Sequence, residues 1–101
     1  QNQARRMGQT VNLIQALTTL PIAHYKLSPN PNHGNFTVEI AYPEAQDVTV
    51  TVYDSDGKLL LTMNGKGQNA YRFKNSVPTA GHYLIDISSP TERKTLKMIV
   101  N

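Results

Sequence analysis

The stretch Val48-Thr49-Val50-Thr51-Val52-Tyr53-Asp54-Ser55-Asp56-Gly57-Lys58-Leu59 decides the fold class. Valines at 48, 50 and 52 alternate with Thr49, Thr51 and Tyr53, so an extended chain places the valines on one face and the more polar residues on the other. β-Branched and aromatic side chains suit that pleated, half-buried surface. Asp54-Ser55-Asp56-Gly57 then ends the run, because glycine supplies the positive φ that a tight hairpin turn requires. A strand, a turn and the start of a second strand follow one another.

The same period of two recurs in both directions. Phe36, Val38 and Ile40 alternate with Thr37, Glu39 and Ala41; Tyr83, Ile85 and Ile87 alternate with Leu84, Asp86 and Ser88. Leu96, Met98 and Val100 alternate with Lys97 and Ile99. Shorter runs at His24–Leu27, Leu59–Met63 and Ala70–Phe73 complete the set. Turn signals separate them: Pro29 to Gly34, Tyr42-Pro43-Glu44, Asp54 to Gly57, Asn64-Gly65-Lys66-Gly67, Thr79-Ala80-Gly81 and Ser89-Pro90-Thr91. The expectation is all-β: an immunoglobulin-like antiparallel β-sandwich of about seven short strands. Its expected core is Phe36, Val38, Ile40, Val48, Val50, Val52, Leu60, Phe73, Tyr83, Ile85, Ile87, Leu96 and Val100. The disulfide and core tryptophan of antibody domains are absent, so only the architecture is implied.

A chain of 101 residues accommodates one domain, and Leu, Ile, Val and Phe supply 24 of them, enough to fill a core. Residues 23–101 form that domain, and residues 1–22 read as a linker or the end of a preceding region. In this segment Met7, Val11, Ile14 and Leu17 suit an amphipathic helix, with a short strand over Thr10–Ile14 or a linker as competing readings. Gln9, Thr10, Asn12, Gln15, Thr18 and Thr19 make it too polar to insert in a membrane. The net charge of +3 is too mild and too scattered to argue for nucleic acid.

Candidate chemistry is sparse. Cysteine is absent, which removes disulfides and thiolate chemistry. A calcium loop opening at Asp54 requires glycine at its sixth position and glutamate at its twelfth, where this chain has Leu59 and Gly65. His24, His33 and His82 lack a ligand pair at a recognised spacing. No serine lies in a nucleophile-elbow context, and the carboxylates are not paired for acid–base work. Asn35-Phe36-Thr37 fits a glycosylation sequon, a pattern that chance often produces. No catalytic residue, metal or cofactor is expected.

Four blocks in order carry more. Leu27-Ser28-Pro29-Asn30-Pro31-Asn32-His33-Gly34-Asn35-Phe36-Thr37-Val38 resembles the opening P-N-P-x-x-G block of type IX secretion C-terminal sorting domains. Val52-Tyr53-Asp54-Ser55-Asp56-Gly57-Lys58-Leu59 resembles their central hairpin, and Ala80-Gly81-His82-Tyr83-Leu84-Ile85-Asp86-Ile87 their G-x-Y block. Lys94-Thr95-Leu96-Lys97-Met98-Ile99-Val100-Asn101 is similar to their terminal K-x-x-K ending. The subtype resembled is type A. His82 departs from the aliphatic residue common at its position, and it is expected to face outward.

The resemblance implies a non-enzymatic sorting signal of Bacteroidetes proteins. It is carried from the periplasm through the outer membrane to the cell surface. The implied partners are an outer-membrane shuttle and a sortase-like protease, which in most members removes the domain and attaches the cargo to the surface. It assigns recognition to Gly81, Tyr83, Lys94, Lys97, Ile99 and Val100, and turn geometry to Pro31, Gly34, Asp54 and Gly57. The terminal strand is expected at a sheet edge, where pairing with a second copy is open and where Lys94 and Lys97 serve edge protection or receptor contact. Two other readings stand beside it: an immunoglobulin-like carbohydrate-binding or adhesion module using Tyr53, Tyr42 and Tyr71, and the retained terminal domain of a surface signalling protein.

Overall fold

The computed structural model describes residues 22–101, so the readings of residues 1–21 lie outside the described residues. Five strands follow in order: β1 (His24–Ser28), β2 (Asn35–Tyr53), β3 (Leu59–Ser76), β4 (Gly81–Ser88) and β5 (Arg93–Val100). All pair antiparallel in one sheet, with β1-β2-β4-β5 as its path and β3 added to β2. The first half of β2 lies between β1 and the second half of β3. Its second half lies between the first half of β3 and β4.

The all-β antiparallel expectation holds, and the count of seven strands is corrected to five. Tyr42-Pro43-Glu44 and Asn64-Gly65-Lys66-Gly67 do not reverse the chain. Tyr42-Pro43-Glu44 faces the stretch from Gln68 to Ala70, Asn64 to Gly67 faces the stretch from Gln46 to Thr49, and both strands pass through this irregular region together. Ala41 pairs with Ala70, Gln46 with Gln68 and Val48 with Gly65, with register shifts between these pairs. Pro43, which cannot donate to a ladder, sits within such a shift. Tyr71 fixes the bend: its hydroxyl donates to the Gln46 carbonyl at 2.6 Å and accepts the Gln68 N–H at 3.0 Å. Gly65 is required beneath that ring, because a Cβ there would lie 2.2 Å from Tyr71 Cε1.

Even-numbered residues of both halves of β2, from Phe36 to Tyr42 and from Val48 to Val52, belong to one buried cluster with Tyr83, Ile85, Ile87, Met98 and Val100. A single curled sheet therefore wraps its own core, in place of the two separate sheets expected of a sandwich. Tyr42, Tyr71, Val77 and Met98 extend the expected core, while Phe73 and Leu96 are only partly buried against it. Leu60 is a correction, being 38% exposed. Val52 pairs with Leu61 and Tyr53 with Leu59, so a register shift leaves Leu60 outside and turns Leu61 inward.

Candidate functional site

β5 pairs with β4 along its whole length, from Gly81 opposite Val100 to Ser88 opposite Arg93. Met98 and Val100 point into the core, and Lys97 and Ile99 point away from it. The residues singled out for recognition therefore divide. Tyr83 and Val100 are buried and offer little side-chain surface to a partner. The Tyr83 hydroxyl donates to the carbonyl of Thr79, four residues upstream, a tyrosine-corner contact that ties the β3–β4 connection to the core. Gly81 has φ of +151°, a conformation open to glycine. Lys94 lies opposite Ile87 on the core-facing side, at its exposed end, whereas Lys97 lies opposite Leu84 on the outer face. The two lysines point to opposite faces of the sheet.

The opening Pro/Asn block reaches the terminal strand directly. Asn32 N–H donates to the Ile99 carbonyl at 3.0 Å, and Asn101 N–H donates to the Asn32 carbonyl at 2.8 Å. The Asn30 side chain adds two bonds, donating to the Lys97 carbonyl at 2.9 Å and accepting the Ile99 N–H at 3.0 Å. Asparagine imitates a peptide group, which is what an open strand edge lacks. Pro31 stands between the two asparagines, following a cis peptide bond. Buried Asn32 holds the loop by accepting the Gly34 N–H at 2.8 Å and donating to the Pro29 carbonyl at 2.9 Å. Gly34 has φ of +117°, and a Cβ there would lie 2.7 Å from the Val77 carbonyl oxygen. The edge expectation is thus half right: Lys97–Asn101 is clasped, while Thr95 keeps its outward N–H and carbonyl without a partner among the described residues. This clasp was not foreseen from the sequence, where Asn30 and Asn32 within the Pro/Asn block were its signal.

Two further devices frame the outer face. Asp54 Oδ1 accepts the N–H groups of Asp56 and Lys58, each at 2.9 Å, and Gly57 takes φ of +82°, as its turn requires. Arg93 grips Asp86 through Nε and Nη2, the latter at 2.7 Å, and that carboxylate raises the guanidinium's pKa further. Beside Glu92, just before β5, burial pushes the Tyr25 hydroxyl's ionisation up, with Tyr42 and then Glu92 adding to the shift.

Tyr42 and Tyr71 are buried, which leaves Tyr53 alone of the aromatics considered for a carbohydrate platform. Among the described residues no group of three or more His, Asp or Glu gathers, and no helix is long and apolar enough to cross a membrane.

The strands and blocks that organise this surface coincide with a known family. The model of the secretion system C-terminal sorting domain matches residues 26–101, from within β1 to the last residue. The chain belongs to that family. The sorting-domain match thus takes in the asparagine clasp, the Asp54 turn, the tyrosine corner and the terminal strand together. No curated protein sequence matches the chain. Among solved structures, the C-terminal domain of wzt is similar at 16% identity and a TM-score of 0.35. The similarity covers 77% of this chain and 65% of that domain.

Proposed function

We propose that this domain is the address that carries a cargo protein through the type IX secretion machinery, and that it performs no catalysis itself. The observation that carries the reading is the family match over residues 26–101, which includes all four ordered sequence blocks. In this reading the cargo precedes residue 23 and passes through the periplasm of a Bacteroidetes cell. An outer-membrane shuttle then receives the folded domain. A sortase-like protease removes the domain at the surface and attaches the cargo there.

Physics favours a folded signal over a linear one. Tyr83 and Val100 are buried, and the last residues of β5 are held by asparagines more than sixty positions earlier, at 30 and 32. A short terminal peptide would present none of that arrangement. Fusing the chain behind a reporter with a signal peptide tests the reading in a host with type IX machinery. The reporter should reach the surface, and deleting Lys97–Asn101 should leave it in the periplasm. Mass spectrometry of the surface protein should find the domain removed. Full export after the deletion would overturn the sorting reading, and an intact mature protein would overturn the removal step.

A further inference from the structure

Four of the five large apolar side chains that stand exposed among the described residues gather at one corner of the sheet: Leu59, Leu60, Leu84 and Ile99. The fifth, Ile22, precedes β1. Tyr53 pairs with Leu59 on one side and Leu84 on the other, and Leu84 pairs with Lys97. His82 pairs with Ile99 one step along the same face. Opposed residues share a face, so the row Leu59–Tyr53–Leu84–Lys97, with Ile99 beside it, crosses four strands on the outer side of the sheet. Exposed apolar side chains gathered in one place, with polar residues at the rim, mark a surface that a partner covers.

The charges differ along the row: the turn beside Leu59 carries Asp54 and Asp56 as well as Lys58, whereas the β5 end carries Lys97 alone. Lys97 ends the row and Lys58 adjoins Leu59, and neither has an ion-pair partner among the described residues. Asp86, the carboxylate nearest along the outer face of β4, is already gripped by Arg93. Asp54 spends Oδ1 on its own turn. The complementary surface is apolar and sets a carboxylate against Lys97.

We propose that the outer-face patch of Tyr53, Leu84, Lys97 and Ile99 is what the secretion machinery reads, through an apolar surface that sets a carboxylate against Lys97, and that Lys94 is outside it. This rests on the sorting reading and separates two lysines that the terminal motif places together. The test fuses the full chain to a reporter with a signal peptide, in a host with type IX machinery. Lys97→Glu and the double variant Leu84→Ser with Ile99→Ser are compared with Lys94→Glu. The same chains are purified for thermal melting and sedimentation.

The patch variants should melt as the parent does and lose export by about ten-fold, the effect of removing one anchor from an interface. Lys94→Glu should be exported like the parent. Undiminished export of folded patch variants, with the parent exported, would overturn the proposal and leave the sorting reading intact. Equal losses in Lys94→Glu and Lys97→Glu would also overturn it. So would a dimer that the double variant dissociates, since the patch would then belong to a second copy. If the double variant melts early, Lys97→Glu decides alone, because it alters one exposed side chain. A parent chain that stays inside the cell would overturn the sorting reading, and this proposal with it.

Discussion

The β4–β5 and β2–β3 hairpins lie side by side in one sheet but keep their shapes by different means. β4 and β5, of eight residues each, pair from end to end without a register shift. Their turn is closed by Ser89, whose N–H donates to the Glu92 carbonyl at 2.9 Å and whose hydroxyl accepts the Glu92 N–H at 3.2 Å. Between the turns, Ile85, Ile87, Met98 and Val100 fill the core. β2 and β3 run for 19 and 18 residues and shift register three times. Their bend depends on Gly65, on Gly67, whose N–H donates to Asp47 Oδ1 at 2.8 Å, and on the Tyr71 hydroxyl. Apolar alternation suffices for a straight hairpin. A bent one requires particular polar bonds and a missing Cβ.

If that contrast is right, each hairpin fails in its own way. Ile85→Ala in β4 should show the largest effect, about 2–5 kcal/mol, because the side chain is fully buried and its neighbours cannot all close the void. Chemical denaturation measures it. A loss below about 0.5 kcal/mol would place Ile85 among neutral surface positions and break the comparison.

Gly65→Ala comes next, at about 1–3 kcal/mol, the usual range for overpacking. Its new Cβ would meet Cε1, Cδ1 and Cζ of Tyr71 at 2.2, 2.5 and 2.9 Å. The ring cannot swing aside freely, since its hydroxyl is bonded and its face stacks on Phe73 at a centroid distance of 5.6 Å. Adding Tyr71→Leu should recover part of the loss, a coupling that a double-mutant cycle measures. Additive losses would show that the clash does not govern the bend.

These two hairpins also mark how far the sequence could be read. The alternation of Tyr83, Ile85 and Ile87 with Leu84, Asp86 and Ser88 is local, so it showed which side chains β4 buries. At Tyr42-Pro43-Glu44 and Asn64 to Gly67 the same turn residues that reverse a chain also allow it to bend, and local chemistry does not distinguish the two. The choice depends on the partner strand, a long-range fact. The site divides similarly. Gly57 was legible because its turn is closed by neighbours. The clasp of Asn30 and Asn32 on Lys97, Ile99 and Asn101 was not, because its partners lie about seventy residues away. Counting by two does put Lys94 and Lys97 on opposite faces, so that separation was readable before the structure.

Tyr71→Phe should cost about 1 kcal/mol, the net value of one intramolecular hydrogen bond, with most of the ring packing retained. It removes the donor to the Gln46 carbonyl and the acceptor for the Gln68 N–H. Amide hydrogen exchange should quicken at Gln68 more than in β4 or β5. Faster exchange throughout the sheet, without preference for residues near the bend, would show that the hydroxyl supports global stability and does not pin this corner.

The smallest expected effect tests the register correction. Leu60→Ser should change stability by no more than about 0.5 kcal/mol, as substitutions on an exposed surface do. The neighbouring Leu61→Ser should cost more, because Leu61 packs against the core and its partner Val52 is fully buried. A strand in unbroken alternation from Leu60 would give the reverse order, since a shift of one residue exchanges the two faces. Denaturation of the two variants side by side distinguishes these cases without reference to absolute stability. A larger loss at Leu60 than at Leu61 would remove the register shift beside Tyr53, and with it the placement of Leu59 at the edge of the outer-face patch.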